Sequence, residues 1–123
     1  MNTIGEHLDK ARHNLAFLNT VDVAQGAFAD WAIVALFYRA LHLVSAVVHA
    51  KGHNHGKNHK ERQRVVESIF SQAASESYER LYSRSRELRY EEVWTTAGEL
   101  DRLLRSDFEP LLQEVRQHIP SAA

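Results

Sequence analysis

Tyr38 and His42 stand four residues apart inside a strongly apolar stretch. His59 and Arg62 stand three apart after a His-rich loop, and Arg86, Arg89 and Tyr90 close a third segment. Side chains three or four apart share one face of a helix. Polar groups set into apolar helices are costly unless they pair, so these residues are expected to meet one another or a ligand. Held near Arg39, Arg86 and Arg89, a His42 imidazole would stay neutral at pH 7, because like charge disfavours its cation. A neutral imidazole is what a general base requires, and arginines stabilise the charge that builds on a phosphoryl group. The set therefore suits metal-free RNA cleavage, in which a ribose 2′-hydroxyl attacks the adjacent phosphate. His59 or His42 would act as base or acid, and Arg62 and Arg89 would hold the phosphate. The same residues would equally make a structural hydrogen-bond network with Glu61, Glu87 and Glu91 as counter-charges.

A second feature is charge density between positions 51 and 64. Lys51, Lys57, Lys60, Arg62 and Arg64 face a single acid, Glu61, and His53, His55 and His59 add positive charge as pH falls. The free N–H groups at a helix start reinforce this, making an anion or phosphate site or, on the plainer reading, a solvated basic loop. Arg39, Lys60, Arg86, Arg89, Tyr90 and Tyr38 are the candidate binding residues. The histidine spacing also invites a metal, but there is no cysteine or nearby aspartate to complete a site, and Gly52 and Gly56 loosen the loop. No metal and no cofactor are expected. Trp31, Phe37, Tyr38 and Phe108, with the pair Tyr78 and Tyr82, fall at core spacing rather than as base-stacking platforms. No Gly-rich phosphate loop, Ser nucleophile elbow or paired-carboxylate motif is visible.

The elements that must position these residues are helical. Periodicity of 3.6 dominates, and no strand alternation is convincing. The expected helices run over Thr3–Leu18, Phe28–Lys51 with Gly52 as C-terminal cap, from Asn58 onward, over Ser75–Arg89, and from Thr96 to His118. A loop is expected over Thr20–Gly26. Asn58 with Glu61 and Thr96 with Glu99 read as capping boxes. Pro110 should bend the last helix or start a new turn, and Pro120 ends it. The expected fold is an all-α, up-and-down bundle of four main helices plus one shorter helix, a single domain over residues 1–123.

At 44% hydrophobic and 25% charged, the chain can bury a core without staples, and it has no cysteine. A net charge of -1 does not mark a nucleic-acid binder by bulk electrostatics. A reducing cytoplasm fits, and no charged-then-apolar signal peptide opens the sequence. Ala27–Ala50 is apolar enough to raise a membrane span. Asp30, Arg39, His42 and His49 interrupt it, so the expectation is the central helix of a bundle and no membrane.

Four runs carry a family resemblance: Asp30-Trp31-Ala32, Phe37-Tyr38-Arg39-Ala40-Leu41-His42, His59-Lys60-Glu61-Arg62, and Leu81-Tyr82-Ser83-Arg84-Ser85-Arg86-Glu87-Leu88-Arg89-Tyr90. In order and spacing, from about Asp30 to Tyr90, the chain resembles small prokaryotic HEPN-domain proteins. The resemblance implies an all-α bundle that pairs as a homodimer. Many such proteins are metal-independent ribonucleases of toxin–antitoxin, CRISPR-associated or antiphage defence systems. Others are non-catalytic partners of minimal nucleotidyltransferases, or nucleotide-binding modules. The positions that transfer are Tyr38, His42, His59, Arg62, Arg89 and Tyr90. The ribonuclease branch carries an Arg followed, four to six intervening residues later, by a His, and no pair here fits: Arg39 is too close to His42, Arg12 adjoins His13, and Arg116 is too near His118.

A helix as apolar around its circumference as Phe28–Lys51 is expected to seek cover from a second copy. Light scattering should therefore give about twice the 14.1 kDa chain mass, and a monomer at micromolar concentration would contradict the dimer.

Overall fold

The structure, a computed structural model, describes residues 3–21, 28–54 and 56–123. Their regular elements are α1 (Ile4–Thr20), α2 (Ala29–Ala50), α3 (His59–Ile69), α4 (Gln72–Tyr90), α5 (Ala97–Leu103), a π-helical turn (Leu104–Phe108) and α6 (Glu109–His118). The last three follow without a break and form one composite helix. The all-helical bundle expected from periodicity is therefore present, with α3 as the short helix. The expected loop over Thr20–Gly26 falls mostly outside the described residues, and α1 itself takes in Thr20.

α2 is the centre. Ile33, Leu36, Phe37, Ala40, Leu43, Val44, Val47 and Val48 are all buried in one core with Val66, Tyr78, Leu81, Phe108, Leu111 and Val115. α1 lies along α2, and α3 to α6 cover its remaining sides. In length and apolarity α2 would pass for a membrane span, but 78% of its most apolar window is buried by the other helices. The bundle thus covers α2 by itself, which removes the reason from which a dimer was expected. The large apolar groups left exposed lie elsewhere: Phe28 and Trp31 at the start of α2, Phe17 on α1, and Tyr90, Val93 and Trp94 after α4.

The helix ends follow local chemistry. α2 stops at Gly52, whose φ of 75° suits a residue without a Cβ. There the His53 N–H donates to the Val48 carbonyl at 3.0 Å and the Gly52 N–H to that of His49 at 2.9 Å. Thr3 and Glu6 form a true capping box at the start of α1. The two capping boxes expected from sequence are half right. Asn58 accepts from the Glu61 N–H at 2.9 Å, but the Glu61 carboxylate takes the Lys57 N–H at 2.6 Å instead of returning to Asn58. That fold-back leaves no room for a side chain at Gly56, where a Cβ would stand 2.6 Å from the Glu61 Cβ. At α5, Thr96 caps Glu99, whose carboxylate turns to Thr95 and Arg84. Ser71, capping α4 through the Ala74 N–H, went unread in the sequence.

α3 and α4 run antiparallel: His59 meets Glu79, and Gln63 meets Ser75. α4 is likewise antiparallel to the composite helix, with Ser71 bonded to Glu114, Arg80 to Asp107 and Arg84 to Glu99. Pro110 does start a new turn. The Glu109 N–H donates five residues back, to Leu104, so the widened π turn absorbs the hydrogen bond that Pro110 cannot make.

Arg39 is part of this framework and not of a site. It is 7% exposed, its guanidinium lies 4.4 Å from the Phe108 ring centroid, and its Nε donates to the Ala123 carbonyl at 3.4 Å. Burial, helped by the charge of Arg116, lowers its pKa to about 10, which still leaves it a cation at pH 7. Arg39→Ala removes packing and a cation–π contact together, so urea denaturation should show a loss of about 2 kcal/mol.

Candidate anion-binding cleft

Where α3 begins beside the second half of α4, a shallow cleft of about 400 Å³ is lined by His59, Arg62, Tyr82, Arg86, Arg89 and Tyr90. Each element delivers its residues by simple spacing. His59 is the first residue of α3 and Arg62 lies one turn on. On α4, Tyr82, Arg86 and Arg89 recur at intervals of four and three, and Tyr90 is the last residue of the helix.

Tyr82 is the platform. Its ring stacks on that of His59, with centroids 3.2 Å apart and planes 4° from parallel, and its hydroxyl accepts from Arg86 Nη1 at 3.2 Å. Arg89 Nη1 donates to the Tyr38 hydroxyl at 2.9 Å and its Nε to the Ser85 carbonyl at 3.3 Å. The same guanidinium lies 5.5 Å from the Tyr38 ring and 5.1 Å from the Tyr90 ring. Arg62 faces inward toward Tyr78, a fully buried tyrosine whose hydroxyl pKa burial pushes well up while the Arg62 charge opposes the shift.

The expected counter-charges are absent from the cleft. Glu87 pairs with Arg84 at 2.7 Å, and Glu61 is spent on the Lys57 N–H. Among the described residues Arg86 and Arg89 form no ion pair; their partners are tyrosine hydroxyls and a carbonyl. Guanidinium groups held by neutral acceptors keep their full charge available to an anion.

His59 sits differently from a free general base. Its Nε2 is 2.7 Å from Glu79 Oε2, and its Nδ1 is buried with no hydrogen-bond partner. The ring is thus fixed between Tyr82 and Glu79 with neither nitrogen open to the cleft.

Of the expected site residues, the fold gathers His59, Arg62, Arg86, Arg89 and Tyr90, and brings Tyr38 in through Arg89. It does not gather the others. Arg39 is packed on Phe108, and Lys60 points to solvent outside the cleft lining. His42 turns to α1, where its Nδ1 lies 3.1 Å from that of His7, and His7 in turn lies 5.2 Å, ring to ring, from His49. His42 does have the low pKa expected of it, about 4, but from burial and the charges of His7 and Lys10, not from arginines. His7 is shifted down in the same sense by burial and His49, against an opposing pull from Glu6. Tyr82, Glu79 and His7 were not read as site residues. Tyr82 was legible, four before Arg86 on one face. His7 was not, because its contact spans 35 positions of sequence. Of the His-rich loop, His55 lies outside the described residues, and no group of three metal-ligating side chains forms among the described ones.

Compared with known proteins, the chain matches no family model and no curated protein sequence.

The histidine contact makes stability pH-dependent. Folded-state values below the ordinary 6.5 mean that the unfolded chain binds more protons between about pH 4 and 6.5. Stability is therefore intact above 6.5 and falls as pH drops through that window. Near pH 5 the loss from His42 should be on the order of 1–2 kcal/mol. Melting curves of His42→Gln should show a flatter pH dependence than the wild type, and parallel curves would refute the assignment.

Proposed function

We propose that this protein is a HEPN-like helical domain whose cleft between α3 and α4 binds phosphate on RNA or a nucleotide, in a cytoplasmic toxin–antitoxin or defence setting. One observation carries the reading: Arg86 and Arg89, without carboxylate partners, converge with Arg62 on one face beside the start of α3. Arginines arranged this way repel one another until an anion arrives, and guanidinium forks match phosphate oxygens. Tyr90, 73% exposed beside Arg89, offers a ring face at the rim for a base.

Within this reading a metal-independent endoribonuclease would use His59 as its acid or base, with Arg62 and Arg89 on the phosphate. His42, turned toward α1, takes no part. A second reading is favoured by the state of His59, whose Nε2 is held by Glu79 and whose Nδ1 is buried. In that reading the domain is a non-catalytic module, for example the partner of a minimal nucleotidyltransferase. Homodimerisation belongs to the proposal in either form, with the exposed aromatic groups Phe28, Trp31 and Trp94 as surface for it.

Two experiments test this. Sulfate should raise the melting temperature of the wild type by a few degrees more than that of Arg86→Ala or Arg89→Ala; at tenfold excess over Kd the difference is about 1.4 kcal/mol. Equal shifts would mean that the anion is held elsewhere. Incubation with a mixed RNA pool in EDTA then separates the two readings: cleavage lost in His59→Ala identifies the enzyme, whereas binding without cleavage identifies the module.

A further inference from the structure

On the other side of Glu79 the same pair of helices forms a second, larger groove, of opposite sign. It holds about 500 Å³ and is lined by Gln63 and Glu67 of α3 and by Gln72, Ser75, Glu76 and Glu79 of α4. No basic side chain is among these six. Glu67, Glu76 and Glu79 supply three carboxylates, and Glu67 makes no hydrogen bond or ion pair with a described residue. Glu76 accepts from Gln72 Nε2 at 3.0 Å, and the charge of Arg80 reaches it only at a distance.

The floor of the groove carries the independent observation. Ser75 is 4% exposed, and its hydroxyl has no hydrogen-bond partner. Beside it Gln63 donates its Nε2 to the Ser75 carbonyl at 3.0 Å, which fixes the amide and leaves its buried Oε1 without a donor. Two buried oxygens with nothing to accept from are costly, about 1–3 kcal/mol each. What both lack, and what three carboxylates nearby attract, is a cationic N–H donor.

We propose that this groove binds a short aliphatic diammonium ion. One ammonium would donate to Gln63 Oε1, Ser75 Oγ and Glu79, and the other would lie among Glu67, Glu76 and solvent. The oxygen donors would also suit a hard divalent cation. However, no three ligating groups converge on a point among the described residues, and a groove of this volume takes a ligand of several heavy atoms. The methylene stems of Gln63, Glu67 and Gln72 give the alkyl chain of such an ion apolar surface. The inference is independent of the anion cleft, although the two sites share Glu79, which also holds His59.

Isothermal titration of the full chain with putrescine, at physiological ionic strength, tests it. The wild type should bind with saturation. The double variant Glu67→Gln/Glu76→Gln, both positions exposed and so tolerant of an isosteric change, should bind at least about tenfold more weakly. Ser75→Ala should weaken binding by a smaller factor. Glu109→Gln, an exposed carboxylate away from the groove, should leave it unchanged. The proposal is overturned if putrescine gives no saturable heat or if the double variant binds as the wild type does. Equal weakening by Glu109→Gln would overturn it too, since attraction would then be diffuse. So would displacement of putrescine by stoichiometric magnesium or calcium, which would make the groove a metal site.

Discussion

The structure depends on covering one helix. α2 is apolar on most of its circumference, and no single neighbour can bury it, so α1, α4, the π turn and α6 are all drawn against it. The polar residues that α2 carries must then be satisfied from within that cover. Each goes to a different neighbour: Tyr38 to Arg89 of α4, Arg39 to Phe108 and the chain end, His42 to His7 of α1. Three consecutive problems in the sequence thus have three separate solutions in space. Only the first opens onto the cleft.

The charged surface around α4 shows the same division. Arg80 and Arg84 are anchored by Asp107 and by Glu99 with Glu87, tying α4 to the composite helix. Arg86 and Arg89, on the side facing α3, are anchored by tyrosines instead. A tyrosine hydroxyl positions a guanidinium without neutralising it, which is why one face of a single helix is a strut and the other is an anion-seeking surface. Glu79 marks the seam between this surface and the acidic groove.

The helical architecture was legible because periodicity and end signals are local: Asn58, Gly52, Thr96 and Pro110 each act near where the sequence suggests. The errors at the caps were also local. Glu61 and Glu99 were read by position alone, whereas each carboxylate found a better donor nearby, the Lys57 N–H and Arg84. For the cleft, the residues of α3 and α4 were legible from their spacing on two adjoining helices. Those of α2 were misplaced because spacing fixes a face without saying which neighbour covers it. That is how His42 came to be grouped with arginines and proves to be paired with a histidine from the first helix.

The π turn at Leu104–Phe108 has a consequence for how this sequence tolerates change in length. It holds one residue more than a regular helix would use over the same rise, just ahead of Pro110. Deleting any one of its residues would restore uniform winding but rotate everything downstream by about 100° relative to the part before it. Leu111, Leu112 and Val115 would swing out of the core and Glu114 away from Ser71. The composite helix is therefore two amphipathic halves whose faces agree only because of one surplus residue, and a single-codon deletion there would act as a shift of phase.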